Sequence, residues 1–259
     1  MSARDEFRKQ FAVEANAHSK IKKIIAVVSG KGGVGKSFIT GVLASSMQKK
    51  GYQCAVLDAD VTGASIPHLF GLNGILYAGD DGIIPAVTRT GVEVISSNLL
   101  LDDPNKPIIW RSPMINSIIK QFYSEAAWGE VDYMFIDMPP GTGDVPLTVF
   151  QSFPVDGVII VTTPQDLVSM IVEKAVSMAD QMEVPVLAVV ENMSYVVCDD
   201  CGKKIELFPN KDHLIRNANV DTIVKLPLDP KNAAACDDGN VEAVVLPELN
   251  GLIEKIRNL

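Results

Sequence analysis

A glycine-rich segment near the N-terminus carries the residue types best suited to bind a charged ligand. The sequence GKGGVGKS occupies positions 30–37, between the apolar run 24–29 and a stretch of helix-forming residues. This spacing matches G-x-x-x-x-G-K-[ST], in which backbone N–H groups surround phosphate oxygens at the start of a helix. Lys36 would then reach the β- and γ-phosphates, and the Ser37 hydroxyl would coordinate Mg²⁺. The loop residues predicted to contact a nucleotide are Gly30, Lys31, Gly32, Gly33, Val34, Gly35, Lys36, Ser37 and Phe38.

Carboxylates follow two further apolar runs. Asp58 closes the run 54–58, Asp60 follows two residues later, and Asp137 closes the run 133–137. Open α/β sheets bind their ligands at the carboxyl ends of the strands, so these side chains are candidates for the same site. Asp137 fits a carboxylate that holds Mg²⁺ directly or through water. The alternative for each of the three is a helix cap or a turn residue.

A cysteine pair is the second chemical feature of the chain. Cys198 and Cys201 form a CxxC motif, whose thiolates can bind one metal centre from a loop or act as a redox pair. Zinc or a 4Fe–4S cluster normally takes four ligands, so this loop supplies only half of a set. Cys54 lies in an apolar run and Cys236 in a loop or at a helix end. Unless these two converge on the CxxC, a second subunit is the simplest source of the missing ligands.

The lysine at the second position of the glycine-rich loop is unusual for a phosphate loop. With Lys31, GKGGVGKS resembles the deviant Walker A motif of the MinD, ParA and nitrogenase iron protein group. That resemblance implies a dimer with ATP held between two subunits, in which Lys31 reaches the partner's nucleotide. It also implies that Asp60 orients or activates the attacking water and that Asp58 assists around the metal. The alternative for Lys31 is a solvated lysine on an open loop.

The order of further motifs gives a closer resemblance. LDAD followed by SIPHLFG, IDMPPGTGD, ENMSYVVCDDCGKKIELF and LPLDP occur as in Mrp/ApbC-type ATPases, which are iron–sulfur cluster carriers, over about residues 22–245. The resemblance implies a homodimer in which Cys198 and Cys201 of both protomers bridge a 4Fe–4S cluster. It implies ATP-dependent delivery of that cluster to apo-proteins, and slow hydrolysis that uses Lys31, Lys36, Asp60 and Asp137. The resemblance also implies that adenine would lie against Asn192 and Pro227. For Asn192, an ordinary turn residue that satisfies its own backbone is an alternative of equal weight.

Some features depart from that family, and other functions stay open. Phe38 stands where the family usually has a small hydroxyl residue, and 208–212 lacks a glycine-rich run. Neither an additional N-terminal domain nor a four-cysteine motif is present, so we expect a core-only version with one cluster site. The alternative function is a MinD/ParA-like positioning ATPase with a structural zinc, or no metal, at the CxxC. A reductase like the nitrogenase iron protein fits less well, because its cysteines are far apart in sequence.

The alternation of apolar runs with helix-like segments predicts the elements that must position these residues. It indicates an α/β fold: a doubly wound, mostly parallel sheet of about seven strands with helices on both faces. We expect a polar leader over 1–20 and a single P-loop ATPase domain over 21–259. The predicted strands are 24–29, 54–58, 92–96, 133–137, 157–163, 184–191 and 222–225, and the predicted helices are 36–50, 113–124, 166–182 and 247–259.

Composition narrows the class of protein further. The chain has 259 residues, 47% of them hydrophobic, and a net charge of −9, which argues against a nucleic-acid partner and against binding to anionic membranes. No apolar run is long enough to span a bilayer, and the N-terminal segment lacks the apolar stretch of a secretory signal. Four cysteines in a chain of this length do not make a disulfide framework. A cytoplasmic ATPase with no membrane or nucleic-acid partner is therefore expected.

Overall fold

The computed structural model describes residues 11–100, 112–164, 168–208 and 220–259. Two groups of elements make up this part of the chain. The strands are β1 (Ser19–Ser29), β2 (Cys54–Asp58), β3 (Ala78–Gly79), β4 (Gly82–Ile83), β5 (Ala86–Val87), β6 (Glu93–Ile95), β7 (Gly129–Asp137), β8 (Gly157–Thr162), β9 (Val186–Val197), β10 (Lys204–Glu206) and β11 (Ile223–Pro227). The α-helices are α1 (Lys36–Lys49), α2 (Ile66–Phe70), α3 (Ser112–Ser124), α4 (Asp144–Ser152), α5 (Val168–Gln181), α6 (Pro230–Asp237) and α7 (Asn250–Arg257).

A nine-stranded sheet forms the centre of the described structure. Its order is β10-β9-β8-β1-β7-β2-β6-β5, and β11 also pairs with β9. The strands β11, β9, β8, β1, β7, β2 and β6 run parallel, while β10 and β5 join antiparallel at β9 and β6. The prediction of a mostly parallel, doubly wound sheet is therefore confirmed, with two short antiparallel strands added.

Helices cover both faces of this sheet, which explains the continuous apolar runs. In β1, Ile24 and Ala26 belong to the core packed against α3, α4 and α5, whereas Ile25 and Val27 belong to the core packed against α1, α2 and α7. Successive side chains of a strand point to opposite faces, so a strand covered on both sides needs apolar residues at every position. The same burial supplies the main favourable free energy of folding.

The parallel register brings the ends of three strands to one edge. In the alignment of β1, β2 and β7, Val27 and Asp58 both lie opposite Asp137. The chain then leaves β1 into the glycine-rich loop, which leads directly into α1 at Lys36. The glycine-rich loop and the two strand-end carboxylates therefore meet at the carboxyl edge, as the rule for open α/β sheets predicts.

Several boundaries differ from the sequence expectations. β1 begins at Ser19, and Val13 packs on the core and donates its backbone N–H to the Ser152 carbonyl. β9 continues to Val197, because β10 pairs with its last three residues and Pro227 of β11 lies opposite Tyr195. The C-terminal prediction divides into a 3₁₀ turn, Pro247–Leu249, followed by α7.

Other parts of the sequence predictions have a different outcome. The strands β3, β4 and β5 escaped prediction because each has only two residues. Positions 1–10, 209–212 and the predicted helix start at 166 lie outside the described residues. Within the described ranges, no helix combines the length and the apolar character that crossing a membrane requires.

Candidate functional site

Two glycines give the phosphate loop its shape. Gly33 has a φ of 77° and Gly35 a φ of 86°, values that side chains with a Cβ rarely adopt. A Cβ on Gly35 would also lie 2.3 Å from Asn192 Nδ2. Only glycine therefore fits position 35, which is the N-cap of α1. The loop backbone is free to curl around an anion at this helix start.

Behind the loop, a buried network joins the lysine, the serine and the strand-end carboxylate. Lys36 Nζ lies 2.8 Å from Asp137 Oδ1, and the two side chains are 6% and 0% exposed. The Ser37 hydroxyl donates to Asp137 Oδ2 over 2.6 Å. Thr40, one turn along α1, donates to Asp137 Oδ1 over 2.9 Å. Asp137 is thus fixed by three side chains, next to the serine that sequence analysis assigns to Mg²⁺.

The Asp58 and Asp60 carboxylates lie beside this network. Asp58 is fully buried, and the burial together with the nearby Asp137 raises its pKa to about 8. Its Oδ2 accepts from the Ser96 hydroxyl over 2.8 Å, and its Oδ1 accepts from the Asp60 backbone N–H over 3.2 Å. Partial burial likewise raises the pKa of Asp60. Both carboxylates belong to a site where negative charge is costly unless a cation is present.

A cavity of about 330 Å³ lies over the loop. Its walls include the whole segment from Lys31 to Phe38, together with Asp60, Leu69 and Pro140. The loop backbone and Lys36 therefore face Asp60 across one space. A polyphosphate bound in this space would contact the loop and lie beside the Asp60 carboxylate.

A second, more apolar cavity of about 210 Å³ continues from the first. Phe38 and Leu69 border both cavities, and Asn192 and Pro227, the two predicted adenine contacts, line the second one. A mostly apolar cleft with a few polar side chains, among them the amides of Asn192 and Asn232, suits a flat heterocycle that needs an oriented hydrogen bond. The two cavities together place an apolar space beside the glycine-rich loop, and a nucleoside polyphosphate needs both kinds of surroundings.

Asn192 also touches the phosphate loop. Its Nδ2 donates to the Val34 carbonyl over 3.0 Å, and the residue is 4% exposed. This contact spans 158 positions of sequence. It fixes the orientation of the amide and connects the phosphate loop to the wall of the second cavity, which we call the base cavity. A turn residue would bond to its own local backbone, so this long-range hydrogen bond does not support the turn alternative for Asn192.

The cysteine pair lies at the tip of the hairpin formed by β9 and β10. Cys198 N donates to the Lys203 carbonyl over 3.0 Å, and Gly202, at φ 68°, donates to the Cys198 carbonyl over 2.9 Å. Cys198 is half-buried and Cys201 is exposed. Backbone N–H groups of Cys201 and Asp200 point at the Cys198 sulfur and hold the pKa of this thiol below its usual value. The turn therefore favours a thiolate, the form that binds metals.

The other two cysteines stay away from the hairpin. Cys54 is buried in β2, where desolvation raises the pKa of its thiol, and Cys236 lies near the end of α6 on the wall of the base cavity. Across the described ranges, no three His, Cys, Asp or Glu side chains are grouped to hold a metal ion. The CxxC thus offers two thiols from one chain.

Sequence reasoning missed the residues that hold the carboxylates. Thr40 and Ser96 each donate to a strand-end aspartate, and Leu69 borders both cavities. The only local signal is a hydroxyl residue placed just after a strand or one helical turn after Lys36. Their partners are 97 and 38 positions away, so only the folded chain reveals the contacts.

The fold and the phosphate loop define the class of the protein as a P-loop NTPase. A family model described as "ParA: NUBPL iron-transfer P-loop NTPase" matches residues 20–257, and the chain belongs to this family. The motif-based resemblance stated above is therefore confirmed.

Two relatives are similar to this chain over most of its length. The chain is 45% identical over 238 residues to a protein from Clostridium perfringens named iron-sulfur cluster carrier protein, covering 88% of this chain and 84% of that protein. It is 43% identical over 225 residues to a protein of the same name from Methanocaldococcus jannaschii, covering 85% and 78%.

Solved structures place the fold within the same group. A nucleotide-binding protein from Archaeoglobus fulgidus, in complex with ADP, superposes with a TM-score of 0.81 at 41% identity, covering 95% of this chain and 96% of that one. The cell division ATPase MinD from Pyrococcus furiosus superposes with a TM-score of 0.62 at 18% identity, covering 91% and 98%. The second comparison shows a shared fold.

Proposed function

We propose that this protein is a homodimeric, cytoplasmic ATPase that carries a 4Fe–4S cluster and delivers it to apo-proteins. The observation that carries the proposal is the exposed hairpin tip, where Cys198 and Cys201 present two thiols without a third ligand in the described chain. A cluster with four thiolate ligands needs two such tips, so a second copy completes the site. The names of the two relatives, iron-sulfur cluster carrier proteins, support the same cargo.

The exposure of the hairpin fits a cargo that must leave. Residues 201–208 are all exposed, and Cys198 is only half-buried. Solvent-exposed thiolate sites exchange their metal more readily than sites enclosed in a core, since a recipient's thiolates can reach the cluster. Zinc is the chemical alternative, because it accepts thiolates at this spacing too.

The nucleotide site supports ATP as the second substrate. Lys36 balances phosphate charge, the loop N–H groups surround the β- and γ-phosphates, and Asn192 with Pro227 holds adenine. Ser37 and Asp137 offer hard oxygen ligands 2.6 Å apart, which fits Mg²⁺, and Asp58 lies on the next strand. Mg²⁺ bound there would neutralise charge on the phosphate oxygens.

Hydrolysis follows from the residues around the cavity that lies over the phosphate loop, which we call the phosphate cavity. Asp60 faces the phosphate cavity and would orient the attacking water for in-line attack. Lys36, and the partner's Lys31 in a dimer, would stabilise charge that develops on the transferred phosphoryl group. Each turnover breaks the bond to the γ-phosphate and leaves ADP and phosphate. The loops that bear Asp60 and Asp137 are the parts that a change of nucleotide would move.

Anaerobic reconstitution with iron and sulfide tests the proposal. The wild-type chain should gain the broad visible absorption of a thiolate-bound cluster, with about four irons per two chains in a dimer. Cys198→Ser with Cys201→Ser should lose both signals. Cys236→Ala is the matched control, because it removes a thiol away from the hairpin, and it should keep them.

Three outcomes of that experiment contradict the proposal. A colourless dimer that retains zinc would make the hairpin a structural zinc site. A chain that binds ADP but no metal would favour the positioning ATPase. Equal cluster content in the double variant and the control would assign the cluster to other residues.

A further inference from the structure

Three consecutive side chains just after β6 contact the loop that carries Asp60. Ser96 Oγ donates to Asp58 Oδ2 over 2.8 Å, and Ser97 Oγ donates to the Val61 carbonyl over 3.0 Å. Asn98 Nδ2 donates to the Ala64 carbonyl over 2.8 Å. We call the segment formed by Ser96, Ser97 and Asn98 the brace.

The parallel pairing of β2 and β6 explains why the brace reaches this loop. Leu57 lies opposite Ile95, so the next residue of each strand, Asp58 and Ser96, emerges side by side at the carboxyl edge. Ser96 is 0% exposed and Ser97 is 2% exposed. Buried hydroxyls keep their hydrogen bonds because no water is available to replace the partner.

Asp58 connects the brace to the backbone of Asp60. Its Oδ2 accepts from Ser96 while its Oδ1 accepts from the Asp60 N–H, so one carboxylate joins the two segments. On the other side of Asp60, Ser97 and Asn98 donate to the carbonyls of Val61 and Ala64. The brace therefore fixes the loop on both sides of the residue that faces the phosphate cavity.

We propose that Ser96, Ser97 and Asn98 are positioning residues for ATP hydrolysis, which hold the loop so that the Asp60 carboxylate faces the phosphate cavity. This inference rests on the proposed ATPase function. Displacing a catalytic group by about 1 Å can cost a hundredfold in rate, so side chains that fix its loop contribute to turnover without touching the nucleotide.

Ser96→Ala tests the proposal most directly. We expect kcat for ATP hydrolysis to fall about tenfold, because a hydrogen bond to a buried carboxylate is lost, while KM and ADP affinity change less than about twofold. Amide hydrogen exchange of residues 58–64 should quicken. In an Asp60→Asn background, the same substitution should lower kcat no further, since the group that it positions is already gone.

Ser45→Ala is the matched control. Ser45 is 1% exposed, and its hydroxyl donates to the Gly41 carbonyl within α1, so the substitution removes an equally buried hydroxyl outside the brace. Its kcat should stay within about twofold of wild type. Asn98→Ala removes a half-buried side chain of the brace. If Ser96→Ala fails to fold, this variant tests whether the brace supports hydrolysis. It should lower kcat with the same split between kcat and KM.

Several results would contradict the proposed positioning role of the brace. A folded Ser96→Ala or Asn98→Ala variant with wild-type kcat would do so, and so would a fall in ADP affinity that parallels the fall in kcat. A full further loss in the Asp60→Asn background would show that Ser96 acts elsewhere. A wild-type chain that binds ADP but turns over no ATP overturns the proposed function as well, which distinguishes the two failures.

Discussion

The phosphate loop and the cysteine hairpin are built in opposite ways, although one strand serves both. At the loop, Lys36 and Asp137 are buried, and every group of the network has a partner within the chain. At the hairpin, the residues after Cys198 are exposed. β9 joins the two regions, since it contains Asn192 at the base cavity and ends at Val197, next to Cys198.

This difference shows how one fold can combine two kinds of binding. A buried, hydrogen-bonded site holds its groups in place before the nucleotide arrives, so little entropy is lost on binding. An exposed pair of thiols is half of a site, and its completion depends on a second molecule. The nucleotide region should therefore be sensitive to small steric changes, whereas the hairpin should respond chiefly to loss of its sulfurs.

The largest effect is expected from Lys36→Ala. Because Lys36 is the buried cation of the phosphate cavity, its loss should lower nucleotide affinity by at least about a hundredfold and abolish turnover. Isothermal titration with ADP measures the first effect. Cluster loading should stay at the wild-type level, because the hairpin thiols do not depend on this lysine.

Lys31→Ala is the control within the same loop. It should retain ADP binding by the single chain and lose turnover, because the proposed role of Lys31 is to reach the partner's nucleotide.

Normal ATP turnover by the Lys36→Ala variant would show that the nucleotide binds elsewhere. Loss of cluster in that variant would remove the separation between the two regions.

Gly35→Ala should have the next largest effect. The new Cβ would meet Asn192 Nδ2 at 2.3 Å in a backbone of positive φ, so the loop must shift away from this shape. If restoring the shape for ADP costs about 2 kcal/mol, ADP binds roughly thirtyfold more weakly. Gly251→Ala, in α7 away from the loop, where a new Cβ would have no atom within 4 Å, should bind ADP normally. Equal affinities of the two variants would show that the Asn192 contact does not shape the loop.

The alkylation rates of Cys198, in the hairpin, and Cys236, at the base cavity, should depend on pH in different ways. Backbone N–H groups lower the pKa of Cys198, whereas burial raises the pKa of Cys236. More of Cys198 is therefore thiolate at any neutral pH, and iodoacetamide should alkylate it severalfold faster than Cys236. As the pH falls, the rate at Cys236 should drop first, as mass spectrometry of timed samples can show. ADP should protect Cys236 alone, and protection of Cys198 by ADP would mean that the hairpin senses the nucleotide directly.

The smallest effect is expected from Gly202→Ala. Gly202 has a φ of 68°, but no atom lies within 4 Å of a Cβ placed there, so the strain is limited to about 1 kcal/mol. Cluster stoichiometry should remain unchanged, with a slightly lower melting temperature. If this substitution abolished cluster loading while Gly35→Ala left ADP binding intact, the contrast between the regions would be reversed.

The sequence predicted the fold because the apolar runs carry their own signal. Buried parallel strands such as β2 and β8 are apolar over most of their length, and the glycine-rich loop has a fixed spacing, so both are visible without the structure. Strand extents were less accurate. The second half of β9 depends on its partners β10 and β11, and no local pattern announces that pairing.

The candidate site was predicted in its parts but not in its connections. Asp58, Asp137 and Lys36 follow from motifs, whereas the Thr40 and Ser96 hydrogen bonds do not. A hydroxyl residue has the same local signal whether it caps a turn or supports a buried carboxylate. The roles of Asp60 and Lys31 in catalysis stay predictions that the variants above would test, and the role of Asp58 stays a prediction as well.

By itself, the sequence determined the class of fold, the phosphate loop and the presence of one CxxC pair, because each depends on residues close together in the chain. Only the tertiary structure decided that Asn192 touches the loop, that the brace supports the Asp60 segment and that Cys54 and Cys236 stay apart from the hairpin. These outcomes depend on strand order and register, which bring together residues separated by as many as 158 positions. Packing of both sheet faces fixes that register, and no single segment contains the information.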